Sequence, residues 1–382
     1  MKFIFVSTPT FEPWDFRNPD TKGIGGSETS HIEMARRLSE RGHEVVSYAP
    51  TNFGEMIGPG GVLWKRFDRI DLTETCDAWV VYRAPYLADY LTHPNMWLIC
   101  QDVDYQMDGN ELTDERALKF SRIVALCKTH AEYLKFAHPV VKERVCVSSN
   151  GIKRELIESI LVDPPERNPH RLMYASSPDR GLEYLLKIFG RAREIVSDLE
   201  LHVFYGFNNM DKVAVMDNKT GKAARDIKAS ILRGMEQPGV VHHGRLPQGE
   251  LLREWAKSAI WCHASNFTET SCITSMDAQA CGAIPITNPT WAVAENVMHG
   301  VFIQGDVRHP LIQARYVLDL VRLAVAPDLQ AEIRPVMMRQ ARERFNWDHF
   351  VDQWEEWAGV PQDAEHRRAV WNNIGERLAV TA

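Results

Sequence analysis

Short apolar runs alternate with helix-length segments along most of the chain, and this alternation limits the fold more than any other feature. Lys2–Ser7, Glu44–Tyr48, Ala78–Tyr82, Trp97–Cys100, Arg122–Cys127 and Val145–Ser148 are β-branched or aromatic, short and bounded by turns, so each reads as a strand. Glu28–Arg41 lies between the first two, with apolar residues at helical spacing and Gly42 as its stop. A strand-helix-strand rhythm of this kind implies a parallel sheet covered on both faces. A second series follows: Arg171–Ala175, Leu199–Tyr205, Val240–His243, Ala259–Ala264, Ala283–Thr287 and Val301–Gln304. Pro285 argues against the fifth of these as a central strand. The polar, proline-rich stretch 163–171 reads as the linker between the two series. The expected fold is therefore α/β, with an N-terminal Rossmann-like domain over residues 1–165 and a C-terminal one over 166–355. The 382 residues, 45% of them hydrophobic, suffice for two cores. Helical patterns at Leu329–Glu343, Asp348–Ala358 and Glu365–Leu378 close the chain.

Forty-four Lys and Arg against 51 Asp and Glu give a net charge of −7, which disfavours general binding to a phosphate backbone. The seven cysteines (76, 100, 127, 146, 262, 272 and 281) have neither CxxC nor zinc-ligand spacing, and their scatter suggests a reducing compartment. Cys272 stands apart because it lies near a helix start; a plain helix residue and a reactive thiol are the two readings. MKFIFVSTPTF reads as a first buried strand rather than a leader, and no run of 18 apolar residues occurs. A cytoplasmic protein is expected, with peripheral membrane contact left open.

The segment Ser265–Pro285, SNFTETSCITSMDAQACGAIP, bears most directly on function. Thr270 and Ser271 are suitable N-caps and Gly282 a suitable stop, so a helix is expected between them. Its free N–H groups and dipole would suit a phosphate. Asp277, about six residues in and roughly 9 Å along the axis, would reach a ribose. Glu269 would face whatever the phosphate carries. A capped helix with two unrelated carboxylates fits the same residues.

Four further segments bear on a site. GIGGSE, Gly23–Glu28, is a glycine turn before the first long helix, and it lacks the GxGxxG spacing of a nicotinamide fingerprint. Phe11, Trp14 and Phe16 lie in the loop before it, where aromatics either stack on a ligand or pin the loop. Arg180 sits in PDRG before a helix, and WLICQDVDYQ places Gln101, Asp102 and Asp104 after a strand, where Asp102 equally fits a capping or salt-bridged residue.

The ordered set of these segments resembles the retaining glycosyltransferases of the family-4 type, which have the GT-B fold. SNFTETSCITSMD resembles their acid-x7-acid signature, GIGGSE their N-terminal glycine loop and SSPDRGLEYLL their basic-glycine turn. VSSNGI (Val147–Ile152) resembles the segment leading to the linker, while VVHHGRLPQGELLREWAKSAIWCHAS and GAIPITNPTWAVAENV match the stretches flanking the signature. The matches come in the family's order over about 300 residues.

The resemblance implies two Rossmann-like domains facing across a cleft, a last segment (356–382) crossing back to the N-terminal domain, and transfer of a sugar from a nucleoside diphosphate to an acceptor hydroxyl. It makes Glu269, Asp102 and Gln101 the catalytic candidates. Gly25, Gly26, Arg180, Thr270, Ser271, Cys272 and Asp277 become the donor-binding ones, with Gly25 and Gly26 touching donor phosphate or acceptor. It implies no resident cofactor and no required metal, and it leaves the acceptor open among glycan, lipid, small molecule, protein and modified nucleic acid.

The chain departs from the family pattern at several positions. Gln101 stands where a His is usual, and a Gln is no general base. Ala175 or Ser176 replaces the first basic residue of the phosphate grip, leaving Arg245 or Lys187 as substitutes. Asp277 replaces a Glu, Ser271-Cys272 an aromatic-glycine pair, and Glu295 resembles an acid of the next loop. Competing readings are a nucleotide-sugar epimerase on the same fold, a transferase acting on modified DNA bases, and an inactive nucleotide-binding module.

Overall fold

The computed structural model describes residues 1–9, 12–106 and 109–360. Phe11 and the candidate helix Glu365–Leu378 lie outside the described residues. The chain forms two compact units. Among the described residues, the first comprises Met1–Pro19, Ile24–Gly151 and 346–360; the second comprises Asp20–Gly23 and Ile152–Phe345.

The first unit holds eight strands: β1 (Lys2–Ser7), β2 (Glu44–Ala49), β3 (Glu55–Ile57), β4 (Leu63–Arg66), β5 (Ala78–Tyr82), β6 (Met96–Ile99), β7 (Arg122–Ala125) and β8 (Val145–Val147). Their order is β3-β4-β2-β1-β5-β6-β7-β8, parallel throughout except for the β3–β4 pair. Alternate residues feed opposite cores, as the period of two requires. Ile4 and Val6 join Val46, Val81 and Leu98 on one face, and Phe3 and Phe5 join Val45, Val80 and Trp97 on the other. Burial on both faces is why these strands read as continuous apolar runs.

The helix Trp347–Ala358 belongs to this unit, so the chain returns to it at residue 346 and not at 356. The spacing of Trp347, Val351 and Trp354 explains the earlier return, because it lays one apolar stripe on the sheet. Trp354 stacks on Phe5 at 6.1 Å and meets Trp97 edge-on at 5.6 Å. The polar side of the helix is tied to the Gly26–Glu40 helix and the turn after it. Arg37 meets Asp348 at 2.7 Å, Arg41 meets Glu355 at 2.7 Å and His43 meets Glu355 at 2.9 Å.

The second unit holds β9 (Asn168–Tyr174), β10 (Glu200–Phe204), β11 (Val240–Gly244), β12 (Ser258–His263), β13 (Ile284–Thr287) and β14 (Val301–Phe302), all parallel in the order β11-β10-β9-β12-β13-β14. The expected linker 163–171 is partly strand: β9 begins at Asn168, opposite Ser258. Pro169 is tolerated because it stands at the strand's start. Pro285 lies within β13, but β14 pairs only Ile286 and Thr287. The chain closes on Pro285 through Gly300, where an added Cβ would stand 2.6 Å from the proline carbonyl oxygen. The core of this unit also has two faces, one built on Leu172, Val203, Ile260 and Ile286, the other on Met173, Trp255, Trp261 and Met276.

Candidate active site

In an open parallel sheet, the loops beyond the carboxyl ends of the strands are where ligands bind. In the second unit the loops after β9 and β12 meet there. Gly181 makes the meeting possible: its φ is +94°, and a Cβ would stand 2.0 Å from the Ala264 carbonyl oxygen. That close approach presents Arg180 to the loop after β12. Its guanidinium lies over the Phe267 ring, 3.1 Å from the centroid, and Nη1 donates to Glu269 Oε1 at 3.4 Å. Burial pushes the Glu269 carboxyl above its ordinary pKa, against the pull of Arg180. The two residues read from separate motifs are thus paired.

The signature helix runs Ile273–Cys281, later than Thr270 and Ser271 would start it. Its N-cap is Cys272, in a left-handed conformation with φ +58° and no side-chain cap bond. The loop is set by tertiary contacts, not by cap chemistry. Ala292 N–H donates to Glu269 O at 3.0 Å, and Asn296 Nδ2 donates to Ser271 O at 3.0 Å. The first N–H groups of a helix have no partner within it. Around this start stand the Thr274 hydroxyl, 3.3 Å from Ser176 Oγ, and the buried Ser271 hydroxyl, which has no hydrogen-bond partner among the described residues. Burial pushes the Cys272 thiol up to about 12, which favours the plain reading of this residue over a reactive thiol.

Asp277 is the fifth residue of the helix, about 6 Å along the axis from Ile273 rather than 9 Å. It is 4% exposed, and its Oδ1 has no hydrogen-bond partner among the described residues. Burial pushes its pKa up to about 7, with Lys153 pulling the other way. Gly282 ends the helix at φ +97°, as its sequence position suggests. Two cations serve that end: Arg167 donates to Cys281 O at 2.7 Å and Arg334 to Gly282 O at 2.8 Å. Both complement the helix dipole.

Lys187 lies beside the Tyr184 ring and Arg245 beside Tyr205, at 5.5 and 4.9 Å. Glu295 is in the helix Trp291–Asn296. Gly23, with φ +68°, is used for packing, since a Cβ would stand 2.4 Å from the Leu246 carbonyl oxygen. His263, at the end of β12, went unflagged in the sequence. It stacks between Trp261 and Tyr174, and burial lowers its pKa to about 3, so it is a neutral core residue.

In the first unit Gly25 caps the Gly26–Glu40 helix, and a Cβ on Gly25 would stand 2.5 Å from Glu28 Oε2. After β6, Gln101 N–H donates to the Tyr105 hydroxyl at 3.2 Å, and Asp104 accepts from Tyr133 at 3.2 Å. Asp102 is held by Arg83, a residue that sequence reasoning missed. Arg83 Nε and Nη2 donate to the two Asp102 oxygens at 2.7 and 2.9 Å, and Nη1 reaches Ser27 Oγ at 3.4 Å. Of the loop aromatics, Trp14 is buried against His31 and Trp64, and Phe16 lies against Trp64 and Phe53. They pin the loop. Among the described residues no group of three His, Cys, Asp or Glu is placed to hold a metal ion, and no helix is long and apolar enough to cross a membrane.

No protein-family model matches the chain, and no curated protein matches it. Solved structures do. A sucrose-phosphate synthase from Thermosynechococcus elongatus is 13% identical, with a TM-score of 0.65 over 93% of this chain and 98% of that one. A glycosyltransferase from Rickettsia africae is 13% identical, with 0.65 over 95% and 99%. HepE of Anabaena, solved with UDP and glucose, is 14% identical, with 0.63 over 94% and 100%. At such identity the likeness speaks for the fold, and that fold is GT-B, built from two Rossmann-like units.

Proposed function

We propose that the protein is a retaining glycosyltransferase that moves a sugar from a nucleoside diphosphate to an acceptor hydroxyl. One observation carries this reading. A paired Arg180 and Glu269, an uncapped helix start and a buried Asp277 with an unpartnered oxygen share one sheet edge. A buried carboxylate oxygen without a donor is rare and calls for a ligand; a ribose hydroxyl is a fitting one. The names of the similar structures agree in donor class: HepE was solved with UDP and glucose, and a Burkholderia xenovorans trehalose-phosphate synthase is described as UDP-forming.

In this reading the diphosphate lies on the N–H groups near Thr270, Ser271, Cys272 and Ile273. It draws Arg180 away from Glu269, and Glu269 then orients the donor sugar. As the anomeric carbon–oxygen bond to the diphosphate breaks, Arg180 and the helix dipole stabilise the leaving charge. The new bond forms to the acceptor oxygen, whose proton passes to the departing phosphate oxygen. Gly25 and Gly26 offer close backbone approach, and Gln101 and Asp102 hydrogen-bond hydroxyls. No metal is assigned a role.

The test is release of nucleoside diphosphate from UDP-, GDP-, ADP-, CDP- and dTDP-sugars, followed by NMR of the anomeric configuration of any product. Release with retained configuration is expected. No release from any donor, with no nucleotide binding, would overturn the proposal, and donor conversion without release would favour an epimerase.

A further inference from the structure

Arg83 follows β5, a central strand between β1 and β6. Its φ is +61°, a conformation that a side chain with a Cβ rarely adopts. The surrounding chain fixes it there: Arg83 N–H donates to Ile99 O at 3.3 Å, and Asn110 Nδ2 donates to Arg83 O at 3.1 Å. Strain of this kind persists where the structure over-determines a residue, and it concentrates at functional sites.

The left-handed turn aims the guanidinium along the carboxyl edge of the sheet, where it joins the segments after β5 and β6 to the start of the Gly26–Glu40 helix. It grips Asp102 after β6 through two bonds in fork geometry, and it touches Ser27, the second residue of the helix after β1. Burial of Arg83 opposes its charge, and the Asp102 carboxylate more than compensates, so its pKa lies above the ordinary arginine value. The side chains of Arg83 and Asp102 are 37% and 42% exposed, so a ligand can reach both. Forked, exposed Arg–Asp pairs also occur at Arg66–Asp68 and Arg308–Asp306, but neither of those arginines has the left-handed backbone of Arg83.

We infer that Arg83 is a positioning residue for glycosyl transfer. Its fork holds Asp102 in one rotamer as the hydrogen-bond acceptor for the incoming hydroxyl, with Ser27 as a neighbouring hydroxyl contact. This rests on the glycosyl-transfer reading and adds a residue to it. The chemistry is unchanged: the acceptor O–H breaks, its oxygen bonds the anomeric carbon and the proton leaves on the diphosphate. Asp102 orients that hydroxyl without taking the proton. A bidentate guanidinium restrains a carboxylate in a way that a lysine cannot.

The test uses the full chain and the donor hydrolysis that water supports as acceptor, so no acceptor need be known. Arg83→Met, Arg83→Lys, Asp102→Asn and the Arg83→Met/Asp102→Asn double variant are compared with wild type. Nucleoside-diphosphate Kd is measured calorimetrically and turnover by diphosphate release. Arg83→Met is expected to leave Kd within about twofold and lower kcat about a hundredfold, the scale of losing one preorganised polar contact. Arg83→Lys should recover part of kcat, and the double variant should be no slower than Asp102→Asn alone. Arg83→Met with wild-type kcat, or a double variant showing the product of the two single effects, would overturn the inference. If Arg83→Met does not fold, the Arg83→Lys and Asp102→Asn pair decides: unchanged kcat in either refutes it. Wild type that binds no nucleoside diphosphate removes the underlying reading, a result distinct from normal binding with Arg83 silent.

Discussion

Asp277→Asn separates what the buried acid costs the fold from what it gives to a ligand. Asp277 is buried, one of its oxygens is unpartnered, and its pKa stands at about 7 against an ordinary 3.8. The folded state therefore holds the proton more tightly than the unfolded chain, and stability from this group is greatest below pH 3.8. It falls as pH rises to about 7, after which the loss is complete. Three pKa units at 1.36 kcal/mol each make that loss about 4 kcal/mol. Asparagine keeps the shape and carries no charge, so the variant should lack this pH dependence. Urea unfolding of both proteins at pH 5, 6.5 and 8 measures it. The difference between them cancels the contributions of other titrating groups, including the buried His31 and His263. Asp277→Asn should gain on wild type by a few kcal/mol between pH 5 and 8. At pH 8, where Asp277 is mostly ionised, the variant should also bind nucleoside diphosphate about tenfold or more weakly, since a hydrogen bond to a charged acceptor is worth ~1.5–3 kcal/mol. Parallel stability curves for the two proteins would refute the argument that Asp277 is a strained, ligand-directed acid.

Other perturbations probe the same frame. Arg180→Met should cut diphosphate release by about a hundredfold or more with a small change in melting temperature, because the Phe267 ring it covers is exposed and the mostly buried Glu269, whose pKa burial already raises, can take up a proton once its partner is gone; wild-type turnover would contradict its role. Gly181→Ala places a Cβ 2.0 Å from the Ala264 carbonyl oxygen in a left-handed conformation, so a loss of ~2 kcal/mol or more and weakened nucleotide binding are expected from thermal melts and calorimetry. Trp354→Ala removes a 2%-exposed indole lying against Phe5 and Trp97 and should cost ~3–5 kcal/mol, read by denaturant unfolding.

The alternating apolar runs foretold both sheets because their central strands, such as β1, β5, β6, β10, β12 and β13, are buried on two faces, which leaves a dense local signal. The β3–β4 pair was not legible: Glu55–Ile57 is short and exposed, and Trp64 is buried by packing against distant Trp14. Asn168–Arg171 looked like linker because polar and proline residues can begin a strand when a neighbouring strand supplies the ladder. The acid-x7-acid segment was legible as chemistry, but not its helix start. Thr270 and Ser271 have the right side chains for a cap, yet contacts from Ala292 and Asn296 hold their loop and move the turn to Cys272. Arg83 left no pattern at all, because a single left-handed residue after a strand is set by what surrounds it.

The most direct test of the central claim is a thermal-shift series with UDP, GDP, ADP, CDP and dTDP on wild type and Asp277→Ala. The account predicts that at least one nucleotide raises the wild-type melting temperature and leaves that of Asp277→Ala unmoved. No shift of wild type with any nucleotide, or an equal shift in both proteins, would contradict it.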